Sequence, residues 1–387
     1  MLRRFVVFAT LLVLAAVAGP AHADGTSARI ATEVAGYTDT VGVSVFTPSV
    51  SGVVENPLAG WAASGRYLVD VVSAASPDIV STASPRWTEV RNAGSIGARY
   101  KPSWWGVGIG ASTSYTPDYL ALGANVQLTQ ELDDKHITLV EGYSFGRDTI
   151  GRAGTSFDTF SYDLTTHGTT LGASRIINES TVIGIYADGI FERGNQSKPY
   201  RYIPMFAPEI APIIPRGATA FSVADARITA KPIENLPRGR DRFAVTGRLG
   251  WRTDRTTVRL DQRLYGDNWS LLASTTDFRW FVDVAERITV WPHLRVHVQS
   301  GVDFWRRAYS ATSLADIPLF RTGDRELGPL SNFGAGGGVR FALGRSGAKE
   351  DFVLGFSADG TWTSFTDAIY VKNRFSGLAA TTVEVGF

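Results

Sequence analysis

The stretch Ala379-Ala380-Thr381-Thr382-Val383-Glu384-Val385-Gly386-Phe387 decides how this chain is read. Thr381, Val383, Val385 and Phe387 fall on one side, and Thr382, Glu384 and Gly386 on the other. A period of two with unlike sides is the pattern of a β-strand that has one apolar and one polar face. One such strand fits the edge of a soluble sheet as well as the wall of a barrel. The stretches upstream discriminate.

The same period recurs through the second half of the chain. Phe243, Val245, Gly247, Leu249 and Trp251 alternate with Ala244, Thr246, Arg248, Gly250 and Arg252. Val258, Leu260 and Leu264 oppose Arg259, Asp261 and Arg263, and Phe278, Trp280, Val282 and Val284 oppose Asp277, Arg279 and Asp283. Leu294, Val296, Val298, Val302 and Phe304 oppose Arg295, His297, Gln299 and Asp303. Four successive strands keep their charges on one side. A soluble sandwich alternates too, but its apolar face needs a second sheet. A barrel in a bilayer meets lipid with its apolar face and encloses water with its polar one.

Sixteen segments have about the length that a tilted strand needs to cross a bilayer. They run over about 28–39, 41–54, 61–75, 88–101, 104–115, 119–130, 136–147, 168–177, 181–193, 241–252, 256–265, 271–285, 292–306, 332–344, 351–364 and 377–387. Two places fit poorly. Glu141 shares a side with Ile137, Leu139, Tyr143 and Phe145, which implies a bulge or a position near the membrane interface. Pro48 implies a bulge or an early end to the second strand.

The N-terminus adds an address. Arg3 and Arg4 precede an apolar run from Phe5 to Ala18, and Ala21-His22-Ala23 follows Gly19-Pro20. A basic start, a short apolar core and an A-x-A site make a secretory signal peptide, with cleavage expected after Ala23. The run is too short to span hydrocarbon comfortably, and no later stretch is apolar enough for a transmembrane helix. The expected division is residues 1–23 as signal and 24–387 as barrel. Composition agrees with an all-β chain: Gly 40, Trp 10, Tyr 13 and Phe 21. Lys+Arg 38 against Asp+Glu 37 gives no charge-based case for nucleic acid, and Cys 0 excludes disulfides and thiol chemistry.

Connection lengths test the strand layout independently. With both termini on the periplasmic side, even-numbered connections should be short turns and long ones should fall at odd positions. The short ones centre on Lys101-Pro102-Ser103, Asp133-Asp134-Lys135, Asn178-Glu179-Ser180, Thr253-Asp254-Arg255 and Gly344-Arg345-Ser346-Gly347. The long ones are 76–87, 148–167, 194–240, 307–331 and 365–376. Loop 194–240 carries Pro199, Pro204, Pro208, Pro212 and Pro215 among aromatics, which argues against strand or long helix and for packing on or into the barrel mouth. The near repeat Ser73–Pro77 and Ser81–Pro85 reads as a pair of Ser-Pro turns.

The closing strand resembles that of bacterial outer-membrane barrels, whose last strand carries the signal read by the membrane insertion machinery. The resemblance assigns that role to Val383, Val385 and Phe387. More specifically, the chain resembles an uncharacterised, domain-of-unknown-function family of proteobacterial outer-membrane barrels. The residues that carry this are Val69-Asp70-Val71-Val72-Ser73-Ala74-Ala75-Ser76-Pro77, Gly142-Tyr143-Ser144-Phe145-Gly146-Arg147-Asp148 and Glu192–Tyr202. It implies fold and location over most of the mature chain and transfers no substrate or catalytic residue.

For function, the polar faces supply the pore-lining candidates Arg248, Arg252, Arg259, Asp261, Arg263, Asp277, Arg279, Asp283, Arg295, His297, Asp303 and Arg340. Pairing strands through their turns sets Arg248 against Asp261, Arg259 against Asp277, and Asp283 against Arg295. Arg252, Arg263, Arg279 and Arg340 then outnumber the remaining acids, and basic side chains in a pore favour anions. The expectation is an outer-membrane, porin-like channel for passive diffusion of small solutes with a mild anion preference. Its partners would be membrane lipid, the insertion machinery and small solutes, with no nucleic acid, cofactor or metal. The alternatives are a non-transporting barrel that scaffolds a periplasmic or redox partner, or a membrane-embedded hydrolase. For the hydrolase, His167 near Ser161 and Asp163 is the mild candidate, whereas His136 and His293 lie at turns and His297 lacks a serine. The histidines and carboxylates show no metal-ligand spacing, and Gly334, Gly336, Gly337 and Gly338 lie within an alternating strand rather than before a helix. The absence of a plug domain before the first strand argues against an energy-coupled receptor.

Overall fold

A computed structural model describes residues 25–74, 87–344 and 352–387. The signal segment, most of the Ser-Pro repeat and most of the 344–347 turn lie outside the described residues. The chain forms a closed antiparallel barrel of sixteen strands, in chain order apart from two short strands outside the wall. The wall consists of β1 (Ser27–Asp39), β2 (Val43–Asn56), β3 (Trp61–Ala74), β4 (Trp87–Tyr100), β5 (Trp105–Thr116), β6 (Tyr119–Leu132), β7 (Ile137–Ile150), β8 (Tyr162–Asn178), β9 (Thr181–Gly194), β11 (Gly239–Arg252), β12 (Thr256–Asp267), β13 (Leu272–Ala285), β14 (Ile288–Gln299), β16 (Leu330–Ala342), β17 (Phe352–Phe365) and β18 (Asn373–Gly386). β18 pairs with β1 and closes the wall.

The two faces differ as alternation requires. Val245, Leu249, Trp251, Leu294, Val296 and Val298 are exposed on the outer face. Outward Trp61, Tyr100, Trp105 and Trp251 mark one rim, and Tyr115, Phe243, Trp362 and Phe375 the other. Along β11 and β5 these girdles stand eight and ten positions apart (Phe243 to Trp251, Trp105 to Tyr115), which on a tilted strand matches an apolar band of roughly 25 Å. The opposite face is the interior. Ala244, Thr246, Thr363 and Phe365 belong to it by register, and all are buried; Phe365 packs with Ala368 and Val371 of the β17–β18 loop.

Turn chemistry sets one rim. Gly60 takes a left-handed φ of +74°, and a Cβ there would lie 2.3 Å from the Lys101 carbonyl oxygen of the next turn. Asp133, Asp134 and Lys135 all adopt positive φ, which compresses the β6–β7 turn. At the other rim, the Asp39 carboxylate accepts from the Val41 and Val43 N–H groups and folds back the β1–β2 turn.

Several local expectations need correction. The segment expected at 292–306 is β14, Ile288–Gln299, because the chain turns at Glu286-Arg287 and irregular pairing follows Asp283. Pro292 does not open the strand but sits within it, opposite Gly337. Asp303 is therefore on a loop, as are Val302 and Phe304. β8 starts at Tyr162 rather than 168, which puts His167 in the wall. Glu141 involves no bulge: it stands opposite Leu128 and Leu171 in unbroken ladders, on the outer face. β2 runs on past Pro48 to Asn56, although its pairing with β3 skips Thr47 and Pro48.

Register corrects two of the three proposed charge pairs. Arg248 does oppose Asp261, with a 3.5 Å ion pair. Arg259 instead opposes Arg279, and Asp277 opposes Asp261. Asp283 opposes Thr289, and Arg295 opposes Asp277. A double-mutant cycle on Arg248 and Asp261 should give about 0.2–1 kcal/mol of coupling, and one on Asp283 and Arg295 should give none. Coupling between Asp283 and Arg295 would contradict the register.

Candidate functional site

Two features define the interior: charged walls, and a cap across the mouth. The wall from β11 to β16 carries Arg240, Arg242, Arg248, Arg252, Arg259, Arg263, Arg279, Arg295 and Arg340 on its polar face, against Asp261, Asp267, Asp277 and Asp283. Much of this charge is neutralised. Arg252 pairs with Asp283 at 3.3 Å, Arg263 with Asp188 at 2.7 Å, and Arg279 with Asp277 at 3.3 Å. Arg252, Arg263 and Arg279 are thus not surplus cations. The partner of Arg263 is Asp188, on β9 and separated from β12 by β11, and the partners of Arg279 and Arg252 are Asp277 and Asp283. Arg248 lies over the Tyr186 ring and Arg259 over Phe281.

Asp277 is the centre of a cluster. His293 places Nε2 3.0 Å from Asp277 and Nδ1 2.7 Å from Asp359. Arg279 and Arg295 also contact Asp277. β16 separates His293 from Asp359, and Gly336 makes the contact possible. A Cβ at Gly336 would lie 2.3 Å from both Asp359 Oδ1 and the Ala358 carbonyl oxygen. Gly338 likewise leaves room for the Trp291 ring. The glycine run thus lets large side chains on β14 and β17 meet across a bare strand.

On the far wall, β5 presents Gly106, Gly108, Gly110, Ser112 and Ser114 inward. A recess of about 520 Å³ follows, bounded by Glu55, Arg99, Lys101, Gly106, Gly108 and Gln127. A second, of about 460 Å³, is bounded by Arg66, Arg91, Ser95, Ser112, Gly123 and Asp148. Both lie along β3–β6. Arg66 pairs with Glu33 at 3.3 Å and Arg91 with Asp70 at 3.4 Å. Lys101 pairs with Glu131.

The cap comes from residues 195–238 and 300–329. β10 (Met205–Phe206) pairs in parallel with β15 (Tyr309–Ser310) and joins the two segments. Ile203, Met205 and Phe206 are buried, each contributing about 1.5–3 kcal/mol relative to exposure. A short helix, α1 (Ala220–Ala226), is capped by the Thr219 side chain, and its Val223 packs with Phe206 and Ile214. The first segment reaches both sides of the barrel. Tyr200 donates to Asp118 in the β5–β6 turn at 2.5 Å. Arg216 donates to Ser364 and to the Lys372 carbonyl beside β17 and β18.

A buried polar network locks the two segments together. The Glu234 side chain has no solvent exposure, and Arg201 pairs with both Glu234 and Asp324. Thr322 and the Lys198 N–H also donate to Glu234, at 2.7 and 2.9 Å. Burial pushes the Asp324 carboxyl up, but the Arg201 charge and hydrogen bonds outweigh it and hold Asp324 below its ordinary value. That stability is present above an unfolded value of about 3.9 and is lost as pH falls through the lower folded value. Burial pushes Tyr309 up to about 12. The unfolded phenol ionises near 10, so its contribution is lost as pH rises from about 10 to about 12. Proteolysis of the cap should stay flat from about pH 5 to 9 and rise below about 4 and above about 10. Flat cleavage at both extremes would exclude this network as the lock.

His167 and His297 are hydrogen-bonded to neighbours in the wall. His167 faces outward and contacts the Tyr143 hydroxyl at 2.8 Å. His297 contacts Thr275 and Gln299. Among the described residues no group of three or more His, Cys, Asp or Glu is placed to hold a metal ion.

A family model described as a protein of unknown function matches residues 13–349. This chain belongs to the DUF3570 family. Comparison with curated proteins gave no significant match. Among solved structures, this DUF3570 barrel is similar to CdiB from Acinetobacter baumannii, with a TM-score of 0.50 and 8% identity over 94% of this chain and 60% of that one. It thus spans 60% of the length of CdiB. A bacterial polysaccharide outer membrane secretin gives 0.46 at 9% identity, covering 94% and 98%. OccAB1 from Acinetobacter baumannii gives 0.41 at 10%, covering 94% and 97%. At 8% identity the likeness to CdiB speaks to the fold alone.

Proposed function

We propose that this DUF3570 chain is a channel of the Gram-negative outer membrane through which small solutes diffuse passively, with a mild preference for anions. The carrying observation is the pair of recesses along β3–β6, where small side chains on β5 leave space beside Arg66, Arg91 and Arg99. A row of guanidinium groups along a water-filled path favours anions. The preference is mild because ion pairs neutralise Arg66, Arg91 and most of the arginines from β11 to β16. Arg259, which opposes Arg279 across the β12–β13 ladder, adds to the positive side. Delivery rests on cleavage of the signal after Ala23 and on the closing strand, where Val383 and Val385 point outward by register and Phe387 follows the last strand residue. The cap favours one second reading, a barrel kept shut that serves as a scaffold.

Planar-bilayer recording across a salt gradient tests both. The expected reversal potential has the anion-selective sign, and Arg99→Glu moves it toward zero. A cation-selective sign rejects the anion preference. No conductance, with the cap intact or with 199–215 deleted, rejects the channel in favour of the scaffold.

A further inference from the structure

Charges on the inner face of β1–β6 are matched nearly everywhere. Arg29 pairs with Glu384 at 3.1 Å, and Arg66, Arg91 and Lys101 pair with Glu33, Asp70 and Glu131. Asp39 accepts from two N–H groups of its turn, and Glu89 is hydrogen-bonded to Asp118. Glu55 and Arg99 are the exceptions. Neither forms an ion pair or hydrogen bond among the described residues.

The two stand in one row. Glu55 is opposite Ala62 on β3, and Ala62 is opposite Arg99 on β4. They are therefore level and two strands apart, roughly 10 Å between main chains. Beyond Arg99 the row continues through Gly108 to Gln127. Long polar side chains thus alternate with positions that raise almost nothing into the interior. The recess of about 520 Å³ lies over this row, with Glu55, Ala62, Arg99, Gly108 and Gln127 in its lining. That volume is within the roughly 300–1,000 Å³ of small-molecule sites. Lys101 also lines it but is occupied by Glu131. Glu55 and Arg99 each come one residue before the end of their strand, at the short turns. The recess is thus at the opposite end of the barrel from the cap.

We propose that this recess binds small zwitterions of the amino-acid class, with Arg99 holding the carboxylate and Glu55 the ammonium. The planar fork of a guanidinium meets a carboxylate in two parallel hydrogen bonds, and an ammonium donates to a carboxylate at close range. A solute carrying both charges spans the gap that Ala62 leaves open. An anion satisfies Arg99 alone and is repelled by Glu55, and a cation does the reverse. The Gln127 amide, level with both across Gly108, offers a neutral donor and acceptor to the rest of the solute. Passage of such solutes through the barrel rests on the channel reading. Binding does not, because the recess is reached from the short-turn side without crossing the cap.

Saturation-transfer NMR on the detergent-solubilised full chain tests the site with L-alanine, with N-acetyl-L-alanine, which lacks the ammonium, and with L-alaninamide, which lacks the carboxylate. One charge-assisted contact is worth about tenfold in affinity, so L-alanine should bind about tenfold more tightly than either analogue. Glu55→Gln should abolish the advantage over N-acetyl-L-alanine and keep that over L-alaninamide. Arg99→Gln should do the opposite. Heat-modifiable mobility on SDS gels verifies that each variant keeps its barrel. Equal weakening of all the probes in both variants would mean a loosened wall and would overturn the assigned contacts. Bilayer recording separates this site from the channel. A chain that binds L-alanine with the expected pattern but passes no current keeps the site and loses the channel. Salt current without any preference for L-alanine over its analogues overturns the site and leaves the channel standing.

Discussion

Replacing Glu234 with alanine should free the cap from its own second half and open the mouth. The carboxylate is fully buried and receives Arg201, Thr322 and the Lys198 N–H. Removing it leaves Arg201 with Asp324 alone and strands two donors in a dry interior. Breaking a buried pair by deleting one partner costs about 3–5 kcal/mol. The cap can absorb that loss without unfolding the wall, because the barrel ladders do not pass through it. Hydrogen exchange in 195–238 and 300–329 should rise by two to three orders of magnitude while the strands stay protected. Conductance in bilayers should rise with it. Glu234→Gln keeps the shape and some acceptor capacity, so its effect should be smaller. Unchanged exchange in the cap would show that the apolar clusters hold it without the network.

Gly336→Val should damage the wall itself. A first carbon at this position already lies 2.3 Å from the Ala358 carbonyl oxygen, which is backbone and cannot swing away. Asp359 would have to leave His293, and β17 would have to shift against β16. Overpacking of this kind costs about 1–3 kcal/mol or more, and the lost contact between Asp359 and His293 Nδ1 adds to it. The heat-modification midpoint should fall by several degrees, and Gly336→Ala should already show part of the loss. At Gly247, which has no atom within 4 Å of the added carbon, alanine should be tolerated. Equal behaviour at the two positions would refute the close-approach account.

The architecture was largely legible because a strand in this setting shows its two faces locally, every second residue. Sixteen strands and the placement of long connections follow from that alternation together with turn residues. Register was less legible, because it depends on turn length. The β13–β14 turn is only Glu286-Arg287, shorter than Pro292 suggests, which sets Arg295 opposite Asp277 and leaves Asp303 beyond the strand. The surplus of arginine had a different origin. Arg263 finds Asp188 across an intervening strand, a neighbour that pairing of consecutive strands does not reveal. The cap was visible only as a proline- and aromatic-rich loop. Its core joins Met205 to Tyr309, and no local pattern marks two segments a hundred residues apart as one packing unit.

The seam between β1 and β18 bears on how the protein comes to exist at all. Arg29 stands opposite Gly386, and Asp39 opposite Ser376. Contacts between such distant parts of a chain form late, since loop-closure entropy is lost before they give anything back. Until β18 arrives, the growing sheet has two bare edges, each a template for pairing with the wrong chain. Loss of the last dozen residues is therefore not a loss of one sixteenth of the wall. It converts a closed cylinder into an open sheet, and the cell should see it as aggregation and degradation in transit rather than as a leakier pore.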